Sequence, residues 1–249
     1  MTRSNGGVAN GGVANGGVEN GAVANGGVAK HLAAVRKRVA GAARAAGRDP
    51  NEITLVAVSK EVGVDAVVEA LAAGQRDFGE NRAQELGAKV AALAAQRSGP
   101  VPTWHFIGRL QRNKIKAIAG AVALWHSVDR FEIGETIARE APAARVLVQV
   151  NVSGEEQKGG CRPQETAEIV EALRRLGLRV EGLMTVPPQS ADPHQFFAAL
   201  RELATQLDLS TLSMGMSGDF EAAIAEGATI VRVGTAVFGP RLPISARDG

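Results

Sequence analysis

The stretch Ile53-Thr54-Leu55-Val56-Ala57-Val58-Ser59-Lys60 decides how this chain is read. It is rich in β-branched residues, stays apolar almost to its end, and stops abruptly at a serine and a lysine. A short apolar run of this kind, without strict alternation, is the pattern of a strand buried on both faces, as in a parallel sheet. Working outward, comparable runs occur at residues 76–79, 103–107, 124–128, 145–152, 179–186, 211–214 and 229–233. Helical patterns lie between them, among them residues 66–73, 82–95 and 163–176. In the last of these Ile169, Val170, Leu173 and Leu176 share a face, and Gly177 supplies a C-terminal stop. A further helix, rich in Ala and Arg, is predicted over residues 30–46, with Leu32, Val35 and Val39 at helical spacing.

Strands that alternate with helices imply a parallel sheet. Eight of them in roughly 200 residues predict a closed (β/α)8 barrel, a single α/β domain. A doubly wound open sheet is the competing architecture. It announces its nucleotide site by a Gly-rich turn after the first strand, whereas here that strand runs into Ser59-Lys60-Glu61.

The domain boundary is sharp. From Asn5 the sequence repeats Asn-Gly-Gly-Val-Ala with a period of five, placing Val8, Val13, Val18, Val23 and Val28 in register. That period matches neither helix nor strand, and glycine is costly to order. Residues 1–28 are therefore expected to be a disordered low-complexity tail, in preference to a special β-solenoid or interaction segment, and residues 29–249 the barrel.

Composition narrows the partners. The net charge is +2, with 22% charged and 4% aromatic residues, and no basic stripe with interleaved aromatics appears, which argues against nucleic acid. No apolar run approaches the length of about 20 residues that spans a bilayer, and the N-terminus lacks the apolar core of a signal peptide. The single cysteine, Cys161, cannot form an internal disulfide, which fits a reducing compartment. A soluble cytoplasmic protein is the expectation.

Barrels place their sites at the C-terminal ends of the strands. Those ends carry Lys60, Glu80-Asn81, His105 to Gly108, His126, Asn151, Met184-Thr185, Met214 to Ser217 and Arg232 to Thr235. A lysine at the lip of an apolar strand is unusual; partial burial there would lower its pKa and supply a neutral amine for carbonyl attack. The plainer reading is a solvated strand-end lysine or one paired with a carboxylate. The turns after strands seven and eight shift the balance. Gly215-Met216-Ser217-Gly218-Asp219 feeds a short helical pattern, and Gly234-Thr235 opens a second glycine turn carrying a hydroxyl. Loops at these two positions commonly build phosphate sites in this architecture. Opposite a lysine on strand one, they suit a phosphorylated aldehyde. No metal-ligating set is assigned.

Six ordered motifs carry a family resemblance. They are Leu55-Val56-Ala57-Val58-Ser59-Lys60; Phe78-Gly79-Glu80-Asn81; the run from Trp104 through His105 and Gly108-Arg109 to Lys114; Gly182-Leu183-Met184; Leu212-Ser213-Met214-Gly215-Met216-Ser217; and Val231-Arg232-Val233-Gly234-Thr235 through Gly239. From about residue 30 onward the chain resembles the pyridoxal phosphate homeostasis proteins, relatives of the N-terminal domain of alanine racemase. The resemblance implies a barrel of that type that holds pyridoxal 5′-phosphate as an internal aldimine on Lys60. It places Asn81 against the ring, Arg232 at the pyridine nitrogen, and Ser217, Gly234 and Thr235 at the phosphate, with Met184 in the same set. It implies a carrier that regulates the free cofactor and passes it to apo-enzymes. The five-residue repeat lies outside the family pattern.

Residue chemistry bears on what such a site can do. A guanidinium at the pyridine nitrogen disfavours its protonation, unlike the carboxylate of enzymes that need a full electron sink. The bland alternative is that Arg232 pairs with a carboxylate inside the barrel. Alanine racemases share that arginine but add a tyrosine as second acid/base group, and this chain contains no tyrosine. His105 or His126 could replace it, although a histidine in a Trp-His-Phe context is more often packed and hydrogen-bonded. Arg109, Arg112, Lys114 and Lys116 form either a solvated helix start or a surface for an anionic ligand or acidic partner enzyme. Cations near Cys161 could lower its pKa, but most lone cysteines are inert, and no role is assigned to it. Three functions remain in view: a cofactor carrier, a racemase, and a cofactor-free Schiff-base aldolase. Without a second domain to supply the usual racemase dimer contact, a monomer is expected.

Overall fold

The structure is a computed structural model that describes residues 1–2, 27–96, 99–155, 158–188 and 191–240. The repeat positions Val8, Val13, Val18 and Val23 lie outside the described residues.

Eight parallel strands close into a barrel in sequence order. They are β1 (Thr54–Val58), β2 (Asp77–Glu80), β3 (Thr103–Phe106), β4 (Val122–Val128), β5 (Arg145–Gln149), β6 (Arg179–Met184), β7 (Thr211–Ser213) and β8 (Ile230–Val233). Closure is carried by β1 against β8, where Leu55 pairs with Val231 and Val56 with Arg232. That pairing excludes the open doubly wound sheet.

The helices are α1 (Gly27–Ala45), α2 (Val64–Ala72), α3 (Ala83–Ala95), α4 (Arg112–Ile118), α5 (Phe131–Glu140), α6 (Thr166–Arg175), α7 (His194–Gln206), α8 (Phe220–Ala225) and α9 (Thr235–Phe238). Because α9 has only four residues, α1 covers the seam beside it, packing on α2, α8 and α9. Its stripe of Val28, Leu32, Val35, Val39 and Ala43 is buried, following the i, i+3/i+4 spacing of one helix face. Arg38 clamps the far side, its guanidinium 4.5 Å above the Phe220 ring and its Nε donating to Glu221 at 2.8 Å.

Apolar side chains form two layers. The larger lies between sheet and helices. The smaller, inside the barrel, consists of Val56, Leu124, Leu147, Met184 and Ile230. Since alternate strand residues face the same way, each of these inner residues fixes the direction of its neighbours two positions along. Val58, His126 and Arg232 therefore face the interior above them.

Among the boundaries that differ from the sequence expectation, three have a plain physical reading. Helix α1 starts at Gly27 and not at residue 30, because Val28 reaches the core and the Val28 and Ala29 N–H groups bond Glu69 Oε1. Strand β5 stops at Gln149 and continues only as a single bridge between Val150 and Cys161. Strand β6 stops at Met184, ahead of Pro187-Pro188, where proline cannot donate to a ladder.

Candidate cofactor site at the barrel mouth

Strand β1 ends at Val58, and the chain turns at once. Val62 N–H bonds the Ser59 carbonyl at 3.1 Å, so Lys60 and Glu61 are the central residues of a tight turn. Glu61 takes a left-handed φ of 61°, a conformation a non-glycine residue adopts only when held there. It is held: its N–H donates to Glu85 Oε2 at 2.9 Å.

Beneath the turn lies a buried ion pair that the sequence reading did not find. Lys89 on α3 donates to Glu80 Oε1 at 2.6 Å and to the Ser59 carbonyl at 2.5 Å, while Ser59 Oγ donates to the same Glu80 oxygen. Burial raises the Glu80 pKa against the opposing pull of Lys89 and Ser59. The backbone immediately before Lys60 is thereby tied to both β2 and α3. The available signal was a lysine among Leu86, Val90 and Leu93 on an otherwise apolar helix face.

Lys60 is half-buried and borders a cavity of about 630 Å³. Ser217, Arg232, Gly234 and Thr235 line the same cavity, as do Met216, Gly218 and Asp219. Five of the seven residues assigned from sequence therefore converge. Val58 and Ile107 form apolar walls, and Pro188, Ala191 and Pro193 come from the loop after β6, three contributors that the sequence reading did not single out.

The two glycine turns have separate backbone reasons. Gly215 adopts φ +90°, and a Cβ there would come within 2.6 Å of Ala223 Cβ. Gly234 packs against β1, where a Cβ would stand 3.2 Å from the Val58 carbonyl. Asp219 Oδ1 accepts the Met216 N–H at 2.5 Å and closes the first loop on itself.

The remaining two assigned residues stand elsewhere. Met184 is fully buried in the inner barrel layer, below the cavity and not in its lining. Asn81 lines a smaller neighbouring cavity with Arg82, Arg109, Gln111 and Lys114. Its Oδ1 is buried without a hydrogen-bond partner among the described residues, an acceptor open to a ligand hydroxyl.

Among the described residues Arg232 makes no hydrogen bond to a carboxylate. Its guanidinium donates to Ser213 Oγ at 2.6 Å and to the Thr185 carbonyl at 2.8 Å, both neutral acceptors. Burial pulls its pKa down to about 10, opposed by Asp219, so it remains a cation at neutral pH. His105 and His126 are buried beneath it and bonded to one another, and neither lines the cavity. The Cys161 thiol shows none of the activation that nearby cations could give it. It is buried against Thr166, and burial pushes its pKa up to about 11.

The family model described as "Alanine racemase, N-terminal domain" matches residues 31–242, the barrel. A likeness to the alanine racemase of Corynebacterium glutamicum shows the fold, with a TM-score of 0.63 at 17% identity over 87% of this chain and 63% of that one. A "Pyridoxal phosphate homeostasis protein" from Pseudomonas aeruginosa is 49% identical over 224 residues, 86% of this chain and 95% of that protein. One of the same name from Aquifex aeolicus is 42% identical, covering 85% and 97%. The structure of PipY from Synechococcus elongatus with PLP bound superposes with a TM-score of 0.72 at 35% identity, over 85% of this chain and all of that one. The chain belongs to the pyridoxal phosphate homeostasis protein family.

Proposed function

We propose that this protein binds pyridoxal 5′-phosphate at the barrel mouth through Lys60 and serves as a reversible carrier of the cofactor. One observation carries the reading: an amine, an arginine and two hydroxyl-bearing glycine turns, from opposite ends of the sequence, border one cavity. The relative with PLP bound, at 35% identity, supports it.

The donor set fits the group. Ser217 and Thr235 hydroxyls and the Gly218 and Gly234 backbone suit a phosphate, which needs close backbone approach. Asn81 Oδ1, buried without a partner among the described residues, offers an acceptor to a ring hydroxyl. Met184 supports the set from the layer below. Arg232, held by neutral acceptors, keeps a positive charge at the ring end. When bound, the cofactor supplies an aldehyde carbon that amines capture reversibly. Lys60 is the amine this chain presents there, on a turn fixed by the Glu80–Lys89 pair.

The reading includes delivery to acceptor enzymes. Arg109, Arg112 and Lys116 are exposed beside the mouth and would attract an acidic partner. It also takes the protein to be a cytoplasmic monomer, with residues 1–26 outside the working domain. A single buried thiol supports the reducing compartment. Among the described residues no helix is long and apolar enough to cross a membrane.

The test is to reconstitute the protein, record its visible spectrum, reduce it with borohydride and map the modified peptide. A phosphopyridoxyl group on Lys60 is the expected result. Labelling of another lysine, or no visible band at all, would refute the assignment. Light scattering reads the oligomeric state, and α-proton exchange no faster than with free cofactor separates a carrier from a racemase.

A further inference from the structure

A polar chain crosses the interior of the barrel. At the mouth, Arg232 donates to Ser213 Oγ at 2.6 Å. Ser213 Oγ lies 2.8 Å from His126 Nδ1, and His126 Nε2 lies 2.8 Å from His105 Nδ1. His105 Nε2 ends the chain 3.0 Å from Asp77 Oδ1. Asp77 opens β2 at the N-terminal end of the barrel, opposite the cofactor mouth, with its side chain 31% exposed.

The strand pattern puts these groups inside. His126 follows Leu124 by two positions, and Arg232 follows Ile230 by two; both apolar residues belong to the inner layer. Asp77 precedes Gly79 by two, and a Cβ on Gly79 would stand 3.0 Å from Val56 Cγ1. Within that confined space the donors can be assigned. A guanidinium only donates, so Ser213 Oγ accepts from Arg232 and its own proton is available to His126 Nδ1. His126 then carries its proton on Nε2 and donates to His105 Nδ1, and His105 Nε2–H donates to the Asp77 carboxylate. Each ring needs one proton and no two donors face each other. The reverse direction leaves a His105 lone pair against the carboxylate unless that ring is doubly protonated. Burial above all, with the positive charges of Arg232 and Arg145 adding to it, holds His126 neutral, its pKa well below the ordinary histidine value. Arg145 in turn is paired to Glu181 and feels Asp77.

We propose that His126 and His105 are positioning residues for Arg232, joining it by a one-directional chain of hydrogen bonds to the Asp77 carboxylate at the far end of the barrel. The inference rests on the cofactor placement proposed above. Among the described residues the buried guanidinium is hydrogen-bonded to neutral acceptors alone, with Asp219 the one carboxylate whose field raises its pKa; a polarised chain ending in a second carboxylate adds support, because each bond strengthens the next in a low-dielectric interior. The charge on Asp77 is thus felt at the group Arg232 faces. An aspartate that fixes the tautomer of a histidine acts on a third group in the same manner in hydrolase triads.

Two readouts test the chain. In 15N-labelled cofactor-free protein, His105 and His126 should both appear as neutral Nε2–H tautomers near pH 7, and Asp77→Asn should alter the His126 ring signals although the two residues do not touch. A proton on His126 Nδ1, or unaltered His126 signals in the variant, overturns the proposal. In the cofactor-loaded protein, Asp77→Asn should lower the pH midpoint of the visible band, since losing a remote negative charge disfavours any protonated group at the mouth. A shift of about 0.5 unit corresponds to roughly threefold in the proton equilibrium. The same substitution in a His126→Gln background should leave the midpoint where His126→Gln alone puts it. Equal, additive shifts would reduce Asp77 to a through-space charge and defeat the proposal. Should His126→Gln not fold, Ser213→Ala interrupts the chain one bond nearer the mouth and serves the same cycle. Wild-type protein without a visible band would sink the cofactor reading alone, leaving the histidine signals to decide the chain.

Discussion

Cys161 and His126 are both buried and titratable, and each is held in its neutral form. For Cys161 burial pushes the thiol up to about 11, so the nucleophilic thiolate is scarce at neutral pH. Native protein should resist iodoacetamide at about pH 7.5 and react fully in denaturant; mass spectrometry of the alkylated chain reads the difference. For His126 the depressed folded pKa has a stability consequence of definite sign. Below about pH 6.5 the unfolded chain takes up a proton that the native ring refuses, so this contribution is present above that value and is lost as pH falls toward the folded pKa. The slope is up to about 1.4 kcal/mol per pH unit. Urea midpoints at about pH 7.5 and 5.5 should diverge more in the wild type than in His126→Gln, the shared carboxylate effects cancelling in the comparison. Both residues could be picked out in the sequence as candidates, but their states could not, because burial and neighbours set them and strand order alone says little of either.

At the scale of elements, α3 matters to the site although it contributes nothing to the cavity lining. Lys89 binds the Glu80 carboxylate and the Ser59 carbonyl, with side chains 9% and 0% exposed for the Lys89–Glu80 pair. Removing one partner of a buried pair leaves an uncompensated charge, at a cost of about 3–5 kcal/mol. Lys89→Met should therefore lower the melting temperature and reduce the fraction of chain trapped on Lys60 by borohydride. The double variant Lys89→Met/Glu80→Gln should recover much of the stability and less of the trapping, because the turn at Lys60 has lost its anchor. The eight strands were legible because burial on both faces writes them as apolar runs. The turn at Lys60 and Glu61 was not. Its left-handed residue is a glutamate whose conformation depends on Glu85, twenty-four residues away.

On the scale of the whole molecule, α1 completes the ring of helices where α9 is too short to do so. Deleting residues 1–26 should leave the melting temperature and cofactor uptake unchanged. Deletion through residue 32 removes Val28 and Leu32, 4% and 0% exposed. At about 1.5–3 kcal/mol for each buried side chain, the loss is about 3–6 kcal/mol, which urea unfolding would register directly. Helix α1 thus begins a little earlier than the sequence pattern places it, since Val28 belongs by sequence to the repeat and by packing to the core.

The sequence by itself determined the barrel, the lysine at the lip of its first strand and the two glycine turns after its last strands. Each is a local pattern: apolar runs between helical periods, a charge at a strand end, residues that permit unusual backbone. Tertiary structure alone decided which of these share a cavity, placing Lys60 with Ser217, Arg232, Gly234 and Thr235 while setting Asn81 in the neighbouring cavity and Met184 in the layer below. It also decided the partners of Arg232 and the line of polar groups from Asp77 to the mouth. Such contacts join residues up to 155 positions apart (Asp77 to Arg232) by a chain of bonds across strands, and only closure of the sheet brings those strands to face a common axis.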